Sequence, residues 1–366
     1  KGSYIYDVNG KAYLDFVAGV SANTLGHSNP IITNAVKQQL DKYTHVMVYG
    51  EYVQSPQYKL AQLLADNLPE SLSTTYFVNS GTEAIEGAMK LAKRATGRAE
   101  IISCKDSYHG STQGALSIMG NEDHKAKYSP LLPHCNQIIF NDENSLDRIT
   151  KKTAAVVIEL IQGGTGFITI TNDFLKKVRE RCNETGTLLI FDEIQTCYGR
   201  LGTLFGFEKY DIIPDILCIA KGMGAGMPIG AFISSWELMN LLTFEPKLGH
   251  ITTFGGHPVN CAASLACLEH LLNSDIMKEV DKKEQLFRTY LSHPKIKEIR
   301  GNGLMLSLEF RNEELAKKVV EQSLENGLIL FYFLFTKTAI RITPPLTISE
   351  EEIIKGCEII KEILEA

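Results

Sequence analysis

Short apolar runs alternate with helix-length segments between residues 57 and 234, and this alternation narrows the fold more than any other feature of the 366-residue chain. The expected strands are Thr75–Val78, Ile101–Ser103, Gln137–Phe140, Ala154–Glu159, Leu188–Phe191, Ile216–Ile219 and Ile229–Ser234, with helices over 57–67, 82–95 and 172–185. Strands that are apolar at successive positions have both faces covered, and strands separated by helices pair in parallel. An α/β domain with a mainly parallel sheet follows.

The pattern changes after about residue 255. Helices near 258–272 and 276–291 lead to an alternating strand at 303–310, a helix over 313–326, strands at 328–335 and 339–343, and a closing helix over 349–365. These elements suggest a smaller α+β unit. At the other end, Tyr4–Val8 and Ala12–Phe16 flank Asn9-Gly10, a strong hairpin signal. The expected division is an N-terminal segment over 1–50 packing with the small unit, a large unit over 51–255 and the small unit over 256–366.

Composition excludes several roles. Hydrophobic residues make up 44% of the chain, enough for a large core, and the net charge is −6 with no basic stripe, which argues against nucleic acid as a partner. The longest apolar run, residues 328–335, is far shorter than the roughly 20 residues that span a bilayer, so no membrane association is expected. The eight cysteines are scattered singly, without metal-ligand spacing. Reduced thiols in a cytoplasmic protein are expected, with no metal and no signal peptide.

Four motifs carry chemistry. Asn79-Ser80-Gly81-Thr82 joins a strand to a strong helix pattern. A helix N-terminus offers unpaired N–H groups and partial positive charge, so Ser80, Gly81 and Thr82 form a candidate phosphate cup; an ordinary N-cap would use the same residues. Tyr108-His109-Gly110-Ser111 follows another strand, where α/β sheets place ligands and an aromatic ring can stack on a flat heterocycle; core packing accounts for the pair equally well. Asp192 ends the run Leu188–Phe191, with Gln195 three residues on, and helix capping is its plainer role. Lys221 ends the run Ile216–Ala220, where a buried amine needs neutralisation or a partner such as Glu159. A lysine and an aspartate at the ends of two buried strands are what a pyridoxal-phosphate enzyme requires. The lysine forms a Schiff base and the carboxylate keeps the pyridine nitrogen protonated. Two weaker signals are Thr252-Thr253 before Gly255-Gly256, a candidate phosphate contact, and Arg341 in an apolar strand, a candidate carboxylate clamp, internal ion-pair partner or solvent-facing side chain.

Together and in this order, Ser80-Gly81-Thr82-Glu83-Ala84, Tyr108-His109-Gly110, Asp192-Glu193-Ile194-Gln195, Ala220-Lys221-Gly222 and Thr252-Thr253-Phe254-Gly255-Gly256 resemble the class III aminotransferases. The resemblance runs from the opening hairpin to Arg341. It implies the fold-type I architecture, with a mainly parallel seven-stranded sheet and a smaller terminal domain. It further implies that Lys221 carries the cofactor and Asp192 bonds its ring nitrogen. Gly81 and Thr82 would bind the phosphate, Tyr108 would stack on the ring with His109 beside it, and Gln195 would approach the ring oxygen. Thr253 would reach the phosphate of a neighbouring subunit, which implies a homodimer with shared active sites. The implied partners are an amine donor and a 2-oxo acid such as 2-oxoglutarate or pyruvate, in a ping-pong cycle with Arg341, Thr252 and Ser111 on the substrate side.

The chain departs from the family pattern where substrates are chosen. Ser111 stands where acetylornithine and ornithine enzymes carry an arginine, and Gly164 stands where they carry a gating glutamate. Leu160 replaces a proline, and Val20 a tyrosine of the ornithine enzymes. A terminal (ω) amine donor, in a pocket less committed to a carboxylate, is the expectation. The alternatives are an acetylornithine or ornithine aminotransferase proper, an aminomutase on the same scaffold, and a non-catalytic binding relative.

Overall fold

The computed structural model describes residues 1–47 and 52–366. The expected boundary between residues 50 and 51 lies outside the described residues. The large sheet has seven strands, in the spatial order Thr74–Val78, Gly230–Ser234, Ile216–Ile219, Leu188–Asp192, Thr153–Glu159, Glu100–Cys104, Cys135–Ile138. Gly230–Ser234 runs antiparallel to both of its neighbours, and the other pairings are parallel. Every residue of the strand Thr153–Glu159 is buried. Its alternate side chains feed two separate cores. Ala155 and Val157 pack with Ala84, Ala88 and Met89 of the helix Gly81–Thr96, while Val156 and Ile158 pack with Phe174, Leu175 and Val178 of the helix Asn172–Thr185. Burial on both faces is the physical origin of the continuous apolar runs.

The strand expected at Gln137–Phe140 begins earlier, at Cys135, because it takes its register from its neighbour, with Ile101 opposite Cys135 and Cys104 opposite Ile138. The N-terminal hairpin is also looser than a two-residue turn. Tyr6 pairs with Ala12, and the loop between them is closed by Asp7, whose side chain accepts the backbone N–H groups of Asn9 and Lys11.

A four-stranded antiparallel sheet holds Ile296–Asn302, Met305–Phe310, Ala339–Ile342 and Phe331–Tyr332, in that order. Ile296–Asn302 was not expected as a strand, and its residues are exposed or half-buried throughout. The helix expected over 276–291 is shorter, Val280–Tyr290. The run 328–335, expected as one strand, is divided between two sheets. Leu328–Ile329 joins Ala12–Asp15 in parallel, and Phe331–Tyr332 pairs antiparallel with Ala339–Ile342. Among the described residues, no helix is long and apolar enough to cross a membrane.

Candidate active site

Because the sheet is mainly parallel, several strands end along one edge, and the residues that follow them converge there. Glu159 and Asp192 are register partners at the ends of neighbouring strands, and Lys221 follows the next strand after Ala220. A cavity of about 700 Å³ opens above them. Of the residues picked out in the sequence, Ser80, Gly81, Thr82, Tyr108, His109, Ser111, Asp192, Gln195, Lys221 and Arg341 all line it. Thr252 and Thr253 do not. Thr252 Oγ1 accepts from Asn79 Nδ2 at 3.2 Å and from the Gly255 N–H at 3.2 Å, and Thr253 is exposed.

Ser80 caps the helix Gly81–Thr96, its hydroxyl accepting the Glu83 N–H at 3.3 Å, while Glu83 accepts the Asn79 N–H at 2.7 Å. The plain capping role is therefore realised at Ser80. The helix still leaves the N–H groups of Gly81 and Thr82 without intrahelical acceptors, as the first turn of any helix does. The Thr82 and Thr112 hydroxyls share a hydrogen bond at 2.6 Å. A methyl group on Gly81 would lie 2.7 Å from Ile194 Cδ1, so only glycine lets the helix end sit against the turn after Asp192. Gly81→Ala is expected to lower stability by about 1–3 kcal/mol through overpacking. Thermal denaturation and a cofactor titration check this, the titration being expected to show weaker binding.

Asp192 is 6% exposed. Its Oδ2 lies 2.7 Å from His109 Nδ1, and its Oδ1 accepts the Ile194 N–H at 3.1 Å. His109 Nε2 is buried and has no hydrogen-bond partner among the described residues. Burial alone lowers the His109 imidazole, but the hydrogen bond and charge of Asp192, with Glu159 adding, carry it above its ordinary value. Glu159 was not among the site residues expected from sequence. It accepts the Tyr108 N–H at 3.1 Å and the Gly163 N–H at 2.8 Å. Burial pushes its carboxyl up to about 7, against the pull of His109. The signal was present, since Glu159 ends a fully apolar strand just as Asp192 does.

Lys221 sits at φ +43°, a left-handed conformation that disfavours side chains. Its Nζ donates to Gln195 Oε1 at 3.4 Å, and Gln195 Nε2 donates to Ser21 Oγ at 3.1 Å. No lysine–glutamate pair forms between Lys221 and Glu159. Removal from water holds the amine below the ordinary lysine range. Asp192 and Glu159 oppose that shift and Arg341 reinforces it.

Arg341 is 4% exposed and makes no ion pair among the described residues. Its Nε donates to the Tyr332 carbonyl at 3.1 Å, and the guanidinium carbon lies 4.7 Å from the Phe333 ring centre. Burial lowers its pKa to about 10. Phe335 covers Gly164, where an added Cβ would lie 2.6 Å from the ring. Phe335 also lies edge-on to His124, with ring centres 4.9 Å apart. Nothing in the sequence joined Gly164 to Phe335.

Comparison with known proteins agrees with this geometry. The family profile for aminotransferase class III matches residues 1–364. The acetylornithine aminotransferase of Methanopyrus kandleri is 37% identical over 369 residues, covering 100% of this chain and 93% of the relative. That of Caldanaerobacter subterraneus is 38% identical, covering 100% and 93%. Among solved structures, the ornithine aminotransferase of Toxoplasma gondii superposes with a TM-score of 0.92 at 30% identity, covering 100% of this chain and 89% of that one. An adenosylmethionine-8-amino-7-oxononanoate aminotransferase from Methanocaldococcus jannaschii superposes with a TM-score of 0.91 at 29% identity, covering 100% and 91%.

The residues present suit pyridoxal phosphate. A buried carboxylate backed by an imidazole faces the cavity, as do a lysine held low in pKa and a helix N-terminus with free N–H groups. The chain therefore belongs to the class III aminotransferases and is a pyridoxal-phosphate-dependent transaminase of fold type I.

Proposed function

We propose that this transaminase takes an amino group from a terminal (ω) amine and delivers it to a 2-oxo acid in a ping-pong cycle, as a cytoplasmic homodimer. The observation that carries the donor reading is the composition of the cavity wall. Ser111 and Gly164 offer no charge there, Phe335 covers Gly164, and Arg341 is left for a single carboxylate. When bound, pyridoxal phosphate supplies a reactive carbonyl and a ring that withdraws electrons. The protein's own residues do the rest. Lys221 would carry the cofactor, and as a neutral amine it would hold or move a proton at its Nζ. Asp192, backed by His109, would hold the ring nitrogen protonated. Gln195 bonds Lys221 and would approach the ring oxygen. The Gly81 and Thr82 N–H groups, helped by Ser80, would hold the phosphate, and Tyr108 would pack on the ring. Thr253, exposed on one subunit, would reach the phosphate of the other, and Thr252 supports that turn.

A second reading has an observation of its own. Relatives that are 36–38% identical over nearly the whole chain carry the name acetylornithine aminotransferase. A donor panel of acetylornithine, ornithine, 4-aminobutyrate, lysine, β-alanine and simple diamines separates the two. Simple diamines and ω-amines are expected to match or exceed acetylornithine in kcat/KM. A preference for acetylornithine of about a hundredfold, close to 2.7 kcal/mol, would replace the first reading with the second. Turnover with no 2-oxo acid present would instead indicate a mutase.

A further inference from the structure

From the charges lining the cavity we infer that the acceptor is a 2-oxo acid with one carboxylate and an uncharged tail, and that a dicarboxylic 2-oxo acid is a poor acceptor. The inference rests on the aminotransfer to a 2-oxo acid proposed above and names the class of acid.

Among the described residues lining the cavity, the basic side chains of lysine or arginine are Lys221 and Arg341. Lys221 is committed to the chemistry and already bonds Gln195. Arg341 remains. Its Nε is used by the Tyr332 carbonyl, while no hydrogen bond or ion pair engages its two terminal nitrogens among the described residues. Those two nitrogens match the two oxygens of one carboxylate.

A second carboxylate has no comparable partner. The Arg341 guanidinium lies against the Phe333 and Phe167 rings, and Ile161, Met227, Ile229 and Leu334 add further apolar lining to the cavity. The hydroxyls near the other side are modest donors, Ser111 Oγ lying 3.3 Å from the Tyr108 hydroxyl. Glu159 and Asp192 line the cavity as carboxylates and already accept from Tyr108, Gly163, His109 and Ile194. A second anion would therefore lose its water against hydrocarbon or approach these carboxylates, and both are unfavourable.

The test compares acids that differ in one group. Holoenzyme first converted by donor alone is mixed with pyruvate, 2-oxopentanoate or 2-oxoglutarate, and the single-turnover rate is followed by cofactor absorbance. 2-Oxopentanoate and 2-oxoglutarate share chain length and differ in the distal carboxylate. The neutral-tailed acids are expected to exceed 2-oxoglutarate in efficiency by about tenfold or more, which corresponds to about 1.4 kcal/mol. A binding readout runs beside it: pentanoate is expected to raise the melting temperature of the holoenzyme more than glutarate does. Ser111→Arg is expected to narrow the gap by raising the rate with 2-oxoglutarate. Equal or better use of 2-oxoglutarate by the unmodified protein, with glutarate binding as well as pentanoate, would overturn the inference. The conversion by donor alone reports the aminotransferase reading separately, so its failure is distinct from a failure of acceptor choice.

Discussion

Replacing Lys221 with alanine is expected to lower kcat by about 10⁴-fold or more, since the residue supplies both the amine that joins the cofactor and the base that moves the proton. The fold should survive. Alanine occupies the same left-handed backbone position at φ +43° no worse than lysine does, and the removed ammonium is one that burial disfavours. Gln195 keeps its bond to Ser21. Circular dichroism and melting temperature should therefore stay near the parent values while turnover vanishes. Residual activity above about one per cent would remove Lys221 from its assigned role.

Asp192→Asn is the second large effect, expected to reduce kcat by about 10²–10³-fold, as loss of a fixed charge opposite a reacting ring does in a low-dielectric site. The shape is retained, and an amide oxygen can still face His109 Nδ1, so the loss reports charge. His109 provides an independent reading. Burial lowers its pKa and Asp192 is the main influence raising it, so the variant imidazole should titrate lower by NMR. The sign of the stability effect follows. An imidazole raised in the folded state binds its proton more tightly there than when unfolded. It adds stability that is complete below the unfolded pKa and is lost as pH rises through the folded one. The variant should lose that part of the decline in melting temperature on the alkaline side of the ordinary histidine range.

Much of this was legible in the sequence for a specific reason. A strand buried on both faces must be apolar at every position, so Leu188–Phe191 and Ile216–Ile219 stood out, and a charge at the end of such a run stood out further. Asp192 and Lys221 were found that way. Ile296–Asn302 was missed because it is exposed or half-buried along its whole length and carries charges, so it lacks the apolar signal. Residues 328–335 read as one strand because an apolar run does not record which sheet each residue joins. Contacts between distant segments left no trace at all: Phe335 over Gly164, Ser21 beneath Gln195, and His109 behind Asp192. Motif order suggested that Thr252 and Thr253 belong with the other site residues, yet the single chain does not bring them into the cavity.

The parallel pairing of Leu14 with Leu328 has a consequence for how the protein is made. The early strand Ala12–Asp15 emerges from the ribosome long before its partner. The same holds for Phe16 and Val17, whose carbonyls accept from Thr343, and for Ser3, whose hydroxyl donates to Glu352. At roughly 5–20 residues per second, their apolar side chains wait tens of seconds for these contacts. Val20 and Arg341, which share the cavity wall, are likewise brought together only when residues 328–343 have left the exit tunnel. Until then the nascent chain exposes Leu14 and Phe16 and has an incomplete substrate pocket. Shielding by a chaperone during synthesis should therefore matter more for this protein than its stability once folded would suggest.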